Sequence, residues 1–296
     1  MTQSTKQNPS RRHHFIPQFL LREWGDGAGD LVCYWPRGDG KVRSKPLSPK
    51  SVAYKDWIYE TTGFSAEHAQ QMEDIYFKLI DDRASNAHRL LVDGRTGEMS
   101  HEMMCDWARF IMSIWFRTPG DVKGLKTVIN ALSDPAVSEA AIGLTVPDDF
   151  PEAALNQLQM EAIRRAIDDP ERGQVFLSME WATITSTETR SFLISDWPLD
   201  TAKDLPFLGH PKSYITIPIS PRQLFIAAPS RAFLLALGDL QEGELERRQN
   251  YATVAQARSF VGASNDEEDA FIKQNFGCEK RPSIARSIAE AWNVEI

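Results

Sequence analysis

The sequence lacks the features that would assign this protein to a membrane, an oxidising compartment or a metal-binding class. No apolar run opens the chain, and the most apolar stretches, such as 110–116 and 233–237, are too short to cross a bilayer. The three cysteines, Cys33, Cys105 and Cys278, are far apart and form no C-x-x-C pair. We therefore expect a cytoplasmic protein with reduced thiols, no membrane contact and no structural zinc.

Signatures of common chemistries are also missing, since the chain has no Walker A loop and no G-x-S-x-G turn. The net charge of -8 argues against a protein that coats nucleic acid nonspecifically, although specific recognition stays open. Residues 1–62 nevertheless carry ten basic and six acidic side chains. This basic N-terminal segment can meet a phosphate-bearing ligand, or it can be a solvated loop region.

Helical and strand periodicities fall in separate parts of the chain, which favours an α+β fold over a doubly wound sheet. We expect a helical body packed on a small antiparallel sheet, with an N-terminal arm docked on it. Predicted hairpins join 30–35 to 41–45, 174–186 to 190–195, and 214–219 to 223–227, and a further strand is expected over 57–61. Helices are predicted over 65–91, 100–118, 119–132, 153–167, 240–261, 269–276 and 281–292.

The domain prediction is a disordered tail over residues 1–10 followed by one integrated α+β domain over 11–296. The tail is polar, whereas no linker-like or low-complexity tract interrupts the remainder. The oligomeric state is not encoded in any recognisable pattern.

The first candidate site is the segment His13-His14-Phe15-Ile16-Pro17-Gln18, which continues to Arg22. Adjacent histidines in an extended segment point to opposite sides, so at most one faces a given site. Either can act as a general base or a metal ligand near neutral pH. The structural alternative, which spacing alone favours, is a docked arm whose histidine bonds a backbone carbonyl.

Three later polar residues are further candidates. Asp196 follows an apolar strand, where a carboxylate can enter a cleft or cap a turn. Arg117 ends a nearly all-apolar helix, and its charge needs solvent or an acid such as Asp196 or Glu73. Asn250 lies within a predicted helix, and we expect it to be exposed.

Together these pieces resemble a family. His14 to Arg22, Arg117-Thr118-Pro119, Ser195-Asp196-x-Pro198, Ile219-Ser220-Pro221 and Asn250 follow the order typical of the bacterial domain-of-unknown-function 4238 family. The resemblance spans about residues 11–262. The resemblance implies that these polar residues act together, but it does not indicate which reaction the protein catalyses.

The leading hypothesis is a hydrolase that acts on a phosphate-bearing or nucleotide-like substrate, such as a nuclease or a defence effector. His14, Asp196 and Arg117 would share one site and supply the base, the water-orienting carboxylate and the anion-binding cation. The substrate-binding residues would be Gln18, Arg22, Asn250 and His13. A weakly held Mg²⁺ or Mn²⁺ at Asp196 stays open.

Two alternatives remain. In the first, the same groups recognise a small-molecule or nucleotide-like ligand without catalysis, as in a sensor protein. In the second, His14, Arg117 and Asp196 form a buried structural network that holds the N-terminal arm. Whether these residues line an open pocket or a closed core distinguishes the alternatives.

Overall fold

The computed structural model describes residues 12–56, 58, 76–143, 151–186, 190–201, 208–238, 240–241, 243–281 and 283–291. Within these ranges the protein is an α+β fold, as the sequence predicts. The expected tail over 1–10, most of the strand expected over 57–61 and the first part of the helix expected over 65–91 lie outside them. No helix in the described ranges is long and apolar enough to span a membrane.

The strands are β1 (Arg12–His14), β2 (Leu31–Pro36), β3 (Val42–Leu47), β4 (Tyr54–Asp56), β5 (Glu180–Thr185), β6 (Ile194–Ser195), β7 (Asp200–Thr201), β8 (Ile215–Ser220), β9 (Gln223–Ala228) and β10 (Val261–Ala263). The helices are α1 (Gln18–Leu21), α2 (Lys78–Val92), α3 (His101–Ile114), α4 (Pro119–Ala131), α5 (Pro135–Ile142), α6 (Glu152–Ile167), α7 (Pro170–Ser178), α8 (Arg231–Gly238), α9 (Glu244–Ala255), α10 (Asp269–Asn275) and α11 (Ile284–Ala291).

The described strands form three small antiparallel sheets. β1 pairs with β4, a second sheet has the order β3-β2-β10-β6, and a third has the order β5-β9-β8-β7. The predicted β2–β3 and β8–β9 hairpins are confirmed. The hairpin predicted between 174–186 and 190–195 is wrong, because β5 pairs with β9 and β6 pairs with β10.

The helix predicted over 240–261 is shorter in the structure, since α9 ends at Ala255 and Val261 is the first residue of β10. Its residues are all buried, and a Cβ on Gly262 would lie 2.7 Å from Leu31 and 2.9 Å from Ile194. Only glycine lets the two flanking strands approach this closely. A three-residue strand buried on both faces has no alternating pattern, so its residues do not predict a strand.

The N-terminal arm is docked on the body, as predicted. Phe15, Leu20 and Leu21 are buried in the main core, and the backbone N–H of Phe15 donates to Ala53 at 2.9 Å. Trp24 is fully buried, and its indole N–H donates to the carbonyl of Phe192 at 2.8 Å. Burial of side chains this large stabilises the docked arm by roughly 1.5–3 kcal/mol each.

Helix α4 begins at a capping motif and positions the candidate site. The Thr118 hydroxyl accepts the backbone N–H of Asp121, and Pro119 occupies the first helical position, where no N–H is needed. Helix α11 packs against α4 at a close contact, since a Cβ on Gly124 would lie 2.9 Å from Ala285. The C-terminal segment is therefore held next to the start of α4.

Candidate functional site

Asp196 lies where the end of β6, the start of α4 and the link between α9 and β10 meet. Its side chain is nearly inaccessible, with 3% exposed. Oδ1 accepts the backbone N–H of Arg258 at 2.9 Å, and its own backbone N–H donates to Phe260 at 3.2 Å. Asp196 thus fixes the backbone that enters β10, as the turn-capping alternative predicts.

Arg281 joins Asp196 to the start of α4. Its Nη1 lies 3.4 Å from Oδ2 of Asp196, while its Nη2 donates to Thr118 Oγ1 at 2.6 Å and to Asp121 Oδ2 at 3.2 Å. The guanidinium also lies 5.2 Å from the ring centre of Trp197. One guanidinium therefore holds two buried carboxylates from distant parts of the chain.

Burial raises the pKa of both carboxylates of this network. For Asp196 the backbone N–H of Arg258 and the charge of Arg281 oppose the effect. For Asp121 the opposing groups are the Arg281 charge and the hydroxyl of Thr118. Arg281 is thus the cation that favours the ionised form of each acid.

An open cleft of about 380 Å³ adjoins this network, and we call it the cationic cleft. Its lining includes the first turn of α4, Asp121 and five basic side chains: Lys123, Arg258, Lys280, Arg281 and Arg286. Within the described part of the chain, Lys123, Lys280 and Arg286 pair with no carboxylate. Among the described residues, the lining of this cleft therefore has more positive than negative side chains.

His14 lies on the arm, opposite Tyr54 in the β1–β4 pair, with the two ring centres 5.8 Å apart. Burial lowers the pKa of its imidazole, the backbone of Lys50 opposes this, and the charge of Arg12 lowers the pKa further. The expected neighbours in a shared site, Asp196 and Arg117, are not among the groups that act on this pKa. His13 is 1% exposed in the same strand.

Arg117 is fully buried, and it forms an ion pair with α2. Its Nη1 lies 2.7 Å from Oδ1 of Asp81, and its guanidinium lies 4.6 Å from the ring centre of Phe77. Burial raises the pKa of Asp81 to about 6 although Arg117 opposes it. The expected Arg117–Asp196 pair is therefore wrong, because the cation beside Asp196 is Arg281. Glu73, the other acid considered for Arg117, lies outside the described residues.

The predicted substrate-binding residues occupy different surroundings. Asn250 is 1% exposed, so the expectation of a surface position is wrong. Its Oδ1 accepts the backbone N–H of Leu193 at 2.9 Å, and its Nδ2 donates to the carbonyl of Ser191 at 2.8 Å. Gln18 is half-buried at the start of α1, and Arg22 is exposed at its end.

His14, Arg117 and Asp196 thus contact three separate sets of partners, and the geometry gives no support to a shared site. Asp196 is surrounded by N–H donors and a guanidinium, which makes it a poor ligand for the divalent cation considered above. Among the residues with described positions, no group of three or more His, Cys, Asp or Glu side chains is placed to hold a metal ion.

The residues that sequence reasoning missed are Asp121 and the basic set of the cationic cleft. Thr118-Pro119-x-Asp121 has the spacing of a capping motif, so the start of α4 could be predicted from the sequence. Arg281 had no comparable signal, because its partners lie 85 and 160 residues away.

A family model described as "Protein of unknown function (DUF4238)" matches residues 12–267, which confirms the resemblance seen in the sequence. The match includes Asp121 and Asp196 but ends before Lys280, Arg281 and Arg286. No curated protein and no solved structure matches the chain.

Proposed function

Because the chain belongs to the DUF4238 family, whose description names no activity, we propose a function from the geometry of the site: the protein binds a phosphate-bearing small molecule in the cationic cleft. The observation that carries this proposal is a group of three cations around one cleft that pair with no carboxylate of the described residues: Lys123, Lys280 and Arg286.

The chemistry of the cleft fits an anion. Lysine and arginine are the usual phosphate-binding side chains, and the positive end of the α4 helix dipole favours negative charge nearby. Arg281 and Arg258 are already fixed by carboxylates and carbonyls, so they present their remaining N–H groups in a defined orientation. The volume of about 380 Å³ lies in the range of small-ligand sites.

The test is a calorimetric titration with inorganic pyrophosphate at low ionic strength. Lys280→Gln combined with Arg286→Gln should weaken binding by roughly 10-fold or more, because charge-assisted hydrogen bonds contribute about 1.5–3 kcal/mol each. Lys78→Gln combined with Arg231→Gln is the matched control, since both side chains are exposed and lie outside the cleft. An equal loss in the control, or no binding by the unaltered protein, would refute the proposal.

Hydrolysis of the bound ligand is the second candidate. Asp121 lines the cleft and its pKa is raised, so its carboxylate can accept a proton from a water molecule that attacks a phosphate. Release of inorganic phosphate from ADP or ATP, with and without Mg²⁺ or Mn²⁺, tests this. Asp121→Asn should abolish the release while the variant still binds pyrophosphate. If the unaltered protein releases no phosphate under any of these conditions, the hydrolase function is refuted.

A further inference from the structure

A second cleft, of about 470 Å³, lies beside the docked N-terminal arm, and we call it the apolar cleft. Its lining is dominated by aromatic and aliphatic side chains, among them Phe15, Trp35, Leu47, Tyr54 and Phe260. Trp35 and Tyr54 are only partly buried, so parts of their surfaces are accessible. An open cleft with accessible aromatic rings suits a flat apolar group.

The two clefts adjoin at two points of the backbone. At the start of α4, Pro119 lines the apolar cleft and Gly120 lines the cationic cleft. Before β10, Ser259 lines the apolar cleft and Arg258 lines the cationic cleft. Consecutive Cα atoms are about 3.8 Å apart, so the two linings are separated by about one residue at each point.

Backbone strain marks the apolar cleft as well. Ala53, which lines it, has a φ of 52° and is the one non-glycine residue with positive φ among the residues described. Such a conformation is costly for alanine and is found preferentially at ligand sites. Its carbonyl accepts the N–H of Phe15, so the strained residue also fixes the docked arm.

We propose that the ligand is a nucleotide, with its phosphates in the cationic cleft and its base in the apolar cleft. This inference rests on the proposed phosphate binding and adds the identity of the group attached to the phosphate. Aromatic side chains stack on any nucleobase, while Lys55 and Ser51 add exposed polar groups to the lining of the apolar cleft.

The experiment compares ADP with inorganic pyrophosphate, which carries the diphosphate without a nucleoside. Calorimetry on the full chain should show that ADP binds roughly 10-fold more tightly or better, as base stacking predicts. Octyl diphosphate is the third probe, because it carries an apolar group that cannot stack. If octyl diphosphate matches ADP, the apolar cleft selects hydrophobicity alone and the nucleotide assignment is wrong.

The variant Ser51→Trp fills the apolar cleft from an exposed position and avoids the core. It should bring the affinity for ADP down to that for pyrophosphate and leave pyrophosphate binding unchanged. Ser44→Trp is the matched control, because Ser44 is exposed on β3 outside the cleft. Trp35→Leu removes a stacking surface and should have the same effect as Ser51→Trp.

The outcomes separate the two proposals. If the protein binds pyrophosphate through Lys280 and Arg286 but binds ADP no more tightly, phosphate binding stands and the nucleotide inference is overturned. The inference is overturned equally if ADP binds more tightly but Ser51→Trp and Trp35→Leu leave its affinity unchanged. If neither compound binds, both proposals fail.

Discussion

Asn250 provides the sharpest distinction between a structural and a ligand-binding role. Asn250→Ala removes the amide that joins α9 to the segment before β6 through Leu193 and Ser191. Leu193 is 1% exposed, so its N–H would be left buried without a partner. An unsatisfied buried group costs about 1–3 kcal/mol, and loss of the second hydrogen bond brings the expected destabilisation to about 2–4 kcal/mol.

Urea denaturation followed by tryptophan fluorescence measures this change directly. The midpoint should fall while the slope stays constant, because the folded state exposes no additional surface. Arg248→Ala on the same helix is the control. It removes an exposed i,i+4 ion pair with Glu244 and should cost no more than about 0.5 kcal/mol. An Asn250→Ala protein with unaltered stability that no longer binds ADP would refute the structural role.

Three further predictions concern buried groups. Burial lowers the pKa of His88 to about 4, so the unfolded chain, with its ordinary value near 6.5, binds the proton first. Stability should therefore fall by up to about 3 kcal/mol as the pH drops from 6.5 to 4, and urea midpoints for His88→Gln should lack this component. Arg117→Met leaves Asp81 without this cation and should cost about 3–5 kcal/mol. Adding Asp81→Leu should recover part of the loss, and equal stability of the single and double variants would contradict this. Gly262→Ala overpacks β10 and should lower the thermal midpoint by an amount equivalent to about 1–3 kcal/mol. Gly27→Ala is the control and should leave the midpoint unchanged, because Gly27 has open space around it. Equal midpoints for the two variants would disprove the packing argument.

Local patterns in the sequence were sufficient for the local parts of the fold. The β2–β3 and β8–β9 hairpins were predicted because strand propensity and a short turn occur together within one short segment of the chain. The partners of β5 and β6 were not predicted, because each of these strands pairs with a strand far along the chain. Antiparallel pairing at that range leaves no periodic signal in a single sequence.

The candidate site was also predicted only in its local parts. Asp196 was singled out because a carboxylate at a strand end is visible in the sequence. Its cation was misassigned, since Arg117 and Thr118 are consecutive yet belong to different networks, one with Asp81 and one with Arg281. The partner that each of two consecutive residues contacts depends on the packing of the whole chain rather than on residue type.

The strand order β3-β2-β10-β6 has a consequence for synthesis in the cell. β2 ends at Pro36, but its second neighbour begins only at Val261. At ribosomal rates of about 5–20 residues per second, roughly 10–45 s separate the appearance of the two strands. During this delay β2 has an unpaired edge to which another chain can add as a strand. The yield of folded protein is therefore expected to depend on translation speed and on chaperones that cover this edge.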